Sequence, residues 1–522
     1  MEVVTLDAPV EGWNAFDSLD SMPPSAAVIL NNMIPGAGTV DTRKGYFVYQ
    51  TVPSNGQPVE TIASYNPKAT SGSQLLAMAG GGIWEVTATT IDEIRPVGSF
   101  SNSRWQTENF QKADEVGVLI LCNGTETTQV YDGINAIPIV TTGTDPALSL
   151  VPDFIGCVAF KGRMYYWKDD DNAFYYTQAG SYQGEFRKFD LGTFVQQGGK
   201  LVSVISWTQQ DAGEGRDDFL VFVFSTGEVL VYQGDDPDTA GYWEQVGRYR
   251  TAEPLSIRGY TGYGADAILM TKDGYVSMAS IIQEGRTSDV PAFSRMIHEA
   301  VVARTSKNSD LYGWDVELFQ RDGLMVFNVP LSEESWEQHV INTVTGKWCR
   351  FRALNVNCLR VHNERLYGGA AANDQNEGEI HGLLQGTSDN GEPIEFDALY
   401  AFNYYGNPGV QKVLTAAQVF TTHSRPKEIA VSGWGDYKIP ELGPIALPEP
   451  LPGGNWGVTG GTDGSFWDQE FWSNEDVQIT TSGWQNVSAY GFAVAILVRF
   501  SKLSESVTWR STNVRLHRIG SQ

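Results

Sequence analysis

The residues of this chain that could do chemistry are few and scattered. The run Asp169-Asp170-Asp171-Asn172 offers the oxygen ligands that calcium prefers. It lies between Trp167 and the aromatic triplet 174–176, however, where the acidic turn of a β-hairpin would have the same composition. Six histidines are present, at positions 298, 339, 362, 381, 423 and 517, and none are paired at zinc-ligand spacing. We interpret the acidic run as a turn and predict no cofactor and no metal.

Enzymatic motifs are also missing from the sequence. No Gly-rich loop precedes a Gly-Lys-Ser/Thr, and there is no Gly-x-Ser-x-Gly elbow. Some propellers hydrolyse glycans with paired carboxylates, an arginine group and a tyrosine. The segment Thr387-Ser388-Asp389-Asn390-Gly391 comes nearest to their Ser-x-Asp-x-Gly-x-x-Trp turn but lacks the tryptophan. We therefore predict that the protein is not an enzyme.

The elements that position these residues are short strands joined by tight turns. A strand, a turn that most often contains glycine, and a second strand recur every ~45 to 60 residues, a pattern typical of propeller blades. The clearest example joins Phe219–Phe224 to Val229–Tyr232 through Thr226-Gly227. This spacing predicts an all-β fold with an irregular, six-bladed β-propeller over residues 47–385, although an array of β-sandwiches would show the same hairpins.

The pattern changes after residue 385. Segments 394–400 and 418–422 alternate as strands do, and further strands run from Val477 to Arg515, so residues 386–522 are predicted to form a C-terminal β domain. Within it, residues 433–464 are rich in proline and glycine. This stretch is either a linker or a projecting loop that touches a partner, and the aromatic pairs 466–467 and 471–472 would anchor its far side.

The sequence also predicts one helix and places two cysteines where a hairpin could bring them together. Ser294–Ala303 places Met296, Ile297, Ala300 and Val301 on one face, with Ser294 as N-cap, and is predicted to be a helix that interrupts a blade. Cys349 and Cys358 could meet across a hairpin, but the absence of CxxC spacing favours four buried free thiols.

The first 46 residues are predicted to form an ordered arm built mostly of loops. Pro23-Pro24 excludes a helix or an internal strand at that point, and the apolar run Ser25–Met33 would form about two helical turns before Pro35-Gly36. The arm contains large apolar side chains and cannot bury them by itself. We expect it to pack on the propeller or on a neighbouring copy, through an assembly set comprising Trp13, Phe16, Pro23, Pro24, Leu30, Pro35 and Arg43.

Charge is distributed unevenly along the chain. Its 36 basic and 62 acidic residues give a formal net charge of −26, which disfavours tight DNA binding. The C-terminal segment opposes this balance with five basic residues: Arg499, Lys502, Arg510, Arg515 and Arg518. Such residues either prevent edge pairing of strands or form an inter-subunit basic patch that meets an acidic face of a neighbouring copy. No apolar run is long enough for a membrane-spanning helix, and the N-terminus has no apolar signal core.

Three stretches resemble one protein family. The segment from Gly12-Trp13-Asn14 through Met22-Pro23-Pro24 to Arg43-Lys44-Gly45-Tyr46 resembles the opening of the tail nozzle, or packaged-DNA stabilization, proteins of short-tailed bacteriophages. Ile341–Phe351 with Leu366–Gly369 looks like one of their late blades, and Trp484–Val498 with Val507–Arg510 looks like their C-terminal strand pair. The resemblance touches the arm, the middle and the tail of the chain, and its motifs are structural.

The resemblance implies a structural virion protein, assembled in the host cytoplasm and located in the phage tail. It would form a six-copy ring through which DNA passes without tight binding, retaining the packaged genome and guiding its ejection. Its partners would be the portal-proximal adaptor ring and tail fibres or a tip plug. A propeller that binds host-surface carbohydrate through its Trp and Tyr side chains is the alternative function, with glycan hydrolysis less favoured.

Overall fold

The computed structural model describes residues 2–67, 72–111, 117–142, 153–211, 215–239, 241–284, 293–371, 377–423, 429–443, 445, 479–481, 483–502 and 506–519. The chain forms two compact units. The first unit contains residues 1–47, 342–351 and 384–522, and the second contains residues 48–341 and 352–383. The sequence predicts boundaries at 46 and 385, close to two of these, but it predicts the arm as a separate region.

Strands dominate the described residues. The N-terminal segment holds β1 (Glu2–Asp7), β2 (Gly12–Trp13), β3 (Ala26–Asn31), β4 (Met33–Pro35) and β5 (Val40–Thr42). There follow β6 (Tyr46–Thr51), β7 (Val59–Tyr65), β8 (Gln74–Ala79), β9 (Gly82–Val86), β10 (Ile91–Arg95), β11 (Gln106–Phe110), β12 (Val118–Cys122), β13 (Gln129–Tyr131), β14 (Ala136–Pro138), β15 (Gly156–Phe160), β16 (Arg163–Trp167), β17 (Ala173–Tyr176), β18 (Arg187–Asp190), β19 (Leu201–Asp211), β20 (Gly215–Phe224), β21 (Glu228–Gly234), β22 (Trp243–Arg250), β23 (Tyr260–Tyr263), β24 (Asp266–Thr271) and β25 (Gly274–Ser277).

Two helices interrupt this succession of strands. They are α1 (Met278–Glu284) and α2 (His298–Asn308), and a 3₁₀ turn at Arg295–Ile297 leads into α2. The chain continues with β26 (Asp315–Phe319), a 3₁₀ turn at Gln320–Asp322, β27 (Leu324–Pro330), β28 (Trp336–Asn342), β29 (Lys347–Phe351), β30 (Val356–His362), β31 (Arg365–Ala370) and β32 (Glu379–Leu383). The last strands are β33 (Ile394–Tyr400), β34 (Gln411–His423), β35 (Ala430–Gly435), β36 (Ile479–Thr481), β37 (Gln485–Gly491), β38 (Val494–Lys502) and β39 (Thr508–Ile519).

The second unit is a β-propeller. Its antiparallel sheets follow one another along the chain as β7–β10, β11–β14, β15–β18, β19–β22, β23–β25, β26–β28 and β30–β32, the last of which is completed by β6. The described residues thus hold seven blades, one more than the six that the hairpin spacing predicts. The difference arises because the segment with α1 and α2 joins two blades instead of interrupting one.

The ring of blades closes where the seventh meets the first. The Sγ atom of Cys358 on β30 lies 3.5 Å from the carbonyl oxygen of Val59 on β7, and both residues belong to one apolar core with Ile62 and Tyr367. Because the outer strand β6 precedes the other blades in sequence, it ties the beginning of the propeller to its end. Closure of this kind leaves no unpacked terminal blade, so the edges that remain are the short outer strands of the blades.

The predicted helix is confirmed, but its predicted cap is wrong. The segment begins as a 3₁₀ turn at Arg295 and continues as α2 to Asn308, with Ile297 and Val301 buried. The Ser294 hydroxyl makes no capping bond and instead accepts a hydrogen bond from the backbone N–H of Tyr275 at 2.9 Å. The helix is therefore tied to the blade formed by β23–β25.

The first unit contains two sheets. One has the order β36-β34-β39-β5-β4, with β1 paired to β39 and β37 paired to β34. The other includes the order β29-β3-β33-β38-β35, with β2 paired to β3. The rings of Tyr400 on β33 and Trp509 on β39 meet edge to face at 5.2 Å, so the sheets pack on each other.

The N-terminal segment supplies strands to both sheets of this unit. The expected helical turns at Ser25–Met33 are wrong, because Ala26–Asn31 is a strand flanked by β2, β29 and β33. Val28 and Ile29 are β-branched and suit a strand that has partners on both sides. Residues 446–464 of the Pro/Gly-rich stretch and the aromatic pairs 466–467 and 471–472 lie outside the described residues. All four cysteines are buried and free, so the Cys349–Cys358 disulfide does not form.

Candidate functional sites

The arm is joined to the C-terminal strands by a buried ion pair. Arg43 is completely buried and forms a bidentate contact with Asp389, with Nη1–Oδ1 and Nη2–Oδ2 distances of 2.8 Å and 2.5 Å. Its Nε donates to the Asn32 side-chain oxygen at 2.9 Å, and Asn32 in turn donates to the carbonyl of Glu395 at 2.8 Å. Because a fork-shaped guanidinium matches a carboxylate in two bonds, this arrangement fixes the arm in orientation as well as position.

Two neighbouring backbone positions restrict which residue types can occupy them as strongly as the ion pair does. Asn32 has a φ of 61°, in the left-handed region that asparagine tolerates better than most residues. A Cβ built on Gly45 would lie 1.8 Å from the carbonyl oxygen of Ser388, so only glycine fits there. Backbone hydrogen bonds from Gly45 to Gly386 and from Tyr46 to Ser388 hold this close approach. The segment 387–391, considered above as a glycosidase-like turn, therefore binds the arm.

The other residues of the assembly set are not brought together at one point. Trp13 and Leu30 are buried, and the Arg350 guanidinium lies 5.2 Å from the centre of the Trp13 ring. Phe16 is half-buried, and Pro35 is buried and accepts a hydrogen bond from Asn342. Pro23 and Pro24 are exposed. Most of the set therefore stabilises the first unit itself.

The five C-terminal basic residues have different surroundings. Lys502 is only 2% exposed and donates to Thr42 Oγ1 at 3.0 Å and to the Arg43 carbonyl at 2.9 Å, so it lies inside the unit and not in a surface patch. Arg499 pairs with Asp397 at 2.7 Å, and Arg518 pairs with Glu2 at 2.9 Å. Arg510 and Arg515 are nearer the surface and have no carboxylate partner among the described residues.

An arginine crosses the axial channel of the propeller, the space lined by the first strand of each blade. Arg258 precedes β23 in the fifth blade, yet its guanidinium donates to the Glu60 carbonyl at 2.9 Å, to Thr61 Oγ1 at 2.5 Å and to the Trp105 carbonyl at 2.7 Å. These acceptors belong to the first and second blades. The hydroxyl of Tyr312, just before the sixth blade, donates to the same Glu60 carbonyl at 2.5 Å. Together they link the fifth and sixth blades to the first and second.

A polar pocket of about 450 Å³ lies beside Tyr312. Its lining includes Arg104, whose Nε donates to Glu60 Oε1 at 2.8 Å and whose guanidinium lies 4.3 Å from the Tyr312 ring centre. Arg258 lies 5.4 Å from the same ring centre. The aromatic ring nearest the pocket is thus already occupied by two cations, which does not favour sugar stacking on it.

Deeper in the channel, charged groups from several blades influence one another. Glu108 on β11 is half-buried, and desolvation raises the pKa of its carboxyl to about 7, opposed by a hydrogen bond from the Ala159 N–H and by the positive charge of Arg360. The pKa of Glu317 is also raised by burial, while Arg360, 3.9 Å away, acts in the opposite direction. We interpret these groups as an interior polar network that holds the first strands together. Sequence patterns do not reveal it because its members come from separate blades.

A second polar chain resembles a catalytic triad but is enclosed. Tyr275 OH lies 2.9 Å from His339 Nδ1, His339 Nε2 lies 3.4 Å from Glu337, and Arg304 holds Glu337 at 2.8 Å and 3.2 Å. The side chains of Tyr275, His339 and Glu337 are buried. General acid–base catalysis requires contact with a substrate, so we assign this chain of groups to packing.

The acidic run at 169–171 has lysine partners. Lys200 contacts Asp169 at 2.6 Å and Asp170 at 3.2 Å, and Lys188 contacts Asp171 at 3.2 Å. Among the residues that the structure describes, no group of three or more His, Cys, Asp or Glu side chains could hold a metal ion. Across those same residues, no helix is long and apolar enough to cross a membrane.

Comparisons with known proteins give structural likenesses alone. No protein-family model matches this sequence, and no curated protein matches it. The N-terminal part of BBS1 in complex with ARL6, soaked with mercury, is 10% identical with a TM-score of 0.40, over 67% of this chain and 99% of that chain. YCF48 from Cyanidioschyzon merolae is 14% identical with a TM-score of 0.35, over 64% and 98%. Raptor from Chaetomium thermophilum is 11% identical with a TM-score of 0.39, over 65% and 29%. None of these likenesses bears on activity or partners.

Proposed function

We propose that this chain is a structural protein of a short-tailed bacteriophage tail, a subunit of the nozzle ring that retains the packaged genome and guides its ejection. The observation that carries the proposal is the arm. Residues on which the family resemblance rests, such as Arg43 and Gly45, occupy positions that few other residues could fill. The structural demands at these positions account for the residues found there without a catalytic role.

Each of the two units would have its own structural role in such a subunit. The propeller is a closed, stiff block, and the first unit binds the arm and the C-terminal strands into a second block. In the resembled family six copies form the ring, an adaptor ring lies on the portal side, and tail fibres or a tip plug are further partners. The net charge of −26 supports a conduit wall that repels phosphate, so that DNA passes without tight binding.

The proposal is tested on purified particles. An antibody against this chain should label the distal tail, and quantitative mass spectrometry should give about six copies per particle, as the resemblance implies. Label on lateral appendages, at a multiple of three copies, would instead support the carbohydrate-binding alternative. Absence of the chain from particles would exclude both functions.

A further inference from the structure

One face of the first unit's larger sheet points to solvent. Strands β37, β34, β39 and β1 lie side by side, and along β39 the even-numbered residues from Thr512 to Leu516 are buried while the odd-numbered ones are not. We call this the open face. Its side chains, from the register of the four strands, include Val3, Thr5, Asp7, Gln411, Val413, Tyr490, Ser511, Asn513, Arg515, His517 and Ile519.

A β-bulge adds Arg510 to the open face. Phe420 pairs with Ser511 and Thr421 with Trp509, so the register skips residue 510. The extra residue turns its side chain outward, and Arg510 Nε donates to Thr422 Oγ1 at 2.9 Å. Two arginines of β39 therefore lie on this face.

These two arginines stand out in an acidic protein. Arg515 lies 3.9 Å from the Trp484 ring centre and Arg510 bonds a neutral hydroxyl, and among the described residues neither pairs with a carboxylate. Asp7 is also on the face but forms no ion pair with either. In a chain with 62 acidic and 36 basic residues, the exposed Arg510 and the half-buried Arg515, which have no carboxylate partner among the described residues, are positioned to receive one from outside.

Apolar side chains lie around Arg515 on the same face. Val3 is paired with Arg515 in register and is 54% exposed, Tyr490 is 55% exposed, and Ile519 is 49% exposed. Tyr490 pairs with Val413, which also pairs with His517, so these residues are neighbours. A cluster of aromatic, aliphatic and arginine side chains has the composition of an interface core.

We propose that the open face docks a second copy of this chain through an acidic surface of that copy. A symmetric contact of two open faces would bring four arginines into one interface, which like charges oppose. The contact is therefore heterologous, with the open face of one copy against a different surface of the next, and such contacts build rings when they close. This inference rests on the proposed function, whose ring needs a contact between copies, and it names the face that makes it.

The experiment maps the contact by zero-length cross-linking. Variants Arg510→Lys and Arg515→Lys place an amine on the open face, and a carbodiimide then couples that amine to a carboxylate in direct contact. Equal amounts of unlabelled and ¹⁵N-labelled full-length protein are mixed at high concentration before coupling. We expect mixed-isotope peptides that join position 510 or 515 of one copy to an Asp or Glu of another. Lys272 and Glu253, 2.5 Å apart within one copy, supply the internal control for coupling.

Charge reversal tests the same face without cross-linking. Arg515→Glu should weaken self-association measured by sedimentation at least about tenfold, whereas the matched control Arg321→Glu, at an exposed arginine of the propeller, should leave it unchanged. Cross-links confined to single copies, or a monomer at every concentration, would overturn the inference. If mixed-isotope links form but the chain is absent from particles, the proposed function fails and the docking surface stands.

Discussion

At the scale of single residues, the Arg43–Asp389 pair is the most consequential contact of the first unit. Removing one partner of a buried, bidentate pair leaves the other charge without compensation, so Arg43→Met should lower the free energy of unfolding by about 3–5 kcal/mol. Chemical denaturation measures this change, with Lys44→Met as the neighbouring exposed control. If Arg43→Met and Lys44→Met prove equally stable, the pair does not anchor the arm.

Gly45 gives an independent test of the same anchor. Gly45→Ala would place a methyl group 1.8 Å from the Ser388 carbonyl oxygen, so the arm must shift and we expect a loss of more than about 2 kcal/mol. Gly38→Ala is the matched control, because no atom lies within 4 Å of the Cβ it would add. Hydrogen exchange of the β3 amides should rise in the first variant and not in the second. Unchanged exchange in both would contradict the assigned role.

Glu108 predicts a pH dependence of propeller stability. Its carboxyl pKa is raised from 4.5 to about 7 in the folded protein, so the folded state binds more protons than the unfolded state between these values. The contribution of this group to the free energy of unfolding therefore falls as pH rises from about 4.5 to 7. Because Glu108 is half-buried, solvent screening reduces the effect, and Glu108→Gln should stabilise the protein by about 1–2 kcal/mol at pH 8 and little at pH 4.

The check is a pair of unfolding curves at each pH, for the natural protein and for Glu108→Gln. Glu93→Gln on the exposed outer strand β10 is the control, since its carboxyl lies outside the channel. A constant difference between the Glu108 variant and the natural protein from pH 4 to pH 8 would show that Glu108 titrates as an ordinary carboxyl.

At the scale of elements, Arg258 connects blades that are distant along the ring. Arg258→Met would remove three hydrogen bonds, to the carbonyls of Glu60 and Trp105 and to the Thr61 hydroxyl, and we expect a loss of about 2–4 kcal/mol in the stability of the propeller. Arg104→Met removes a guanidinium from the same Tyr312 ring at a more exposed position and should cost less than about 1 kcal/mol. Equal losses in the two variants would mean that Arg258 does not bridge the channel.

Elements whose structure depends on the local sequence pattern are predictable from the sequence. Elements that depend on partners distant in the chain are not. The hairpin of β20 and β21 follows from two continuous apolar runs around Thr226-Gly227, and the predicted strand Ile394–Tyr400 has the observed bounds. The local pattern of Ser25–Met33 predicts helical turns where β3 forms, because the neighbours β29 and β33 of this strand come from sequence more than 300 residues away.

The sites show the same division between local and distant signals. The motif around Arg43 predicts its importance, but its partner Asp389 is 346 residues away and no spacing indicates the pair. The sequence around Asp389 indicates only an imperfect glycosidase turn. Charge alone predicts a surface position for Lys502, because it does not reveal that Thr42 and the Arg43 carbonyl enclose the Lys502 amine. A basic residue in sequence is therefore a weaker indicator of an interface than one whose contacts are known.

At the scale of the whole molecule, the side chains that bridge the propeller blades restrict where DNA could travel. Arg258 and Tyr312 cross the channel, so a duplex cannot pass through the propeller itself. In the ring that we propose, the conduit would therefore lie between subunits, along their outer surfaces. The acidic excess of the chain would act on DNA there, through the surfaces that face the axis of the proposed ring.

That acidic excess predicts how strongly the isolated chain binds DNA. With 62 acidic and 36 basic residues, the protein should repel phosphate, and it has few cations with which to release counterions. We expect fluorescence anisotropy of a labelled duplex to show binding weaker than the ~10⁻⁴–10⁻⁶ M typical of non-specific binders, with almost no change between about 50 mM and 200 mM salt. Arg510→Glu with Arg515→Glu should not alter this result, because the open face is assigned to protein and not to DNA. Micromolar binding with a steep salt dependence, lost in that double variant, would instead identify the open face as a nucleic-acid surface and contradict both the repelling wall and the docking of a second copy.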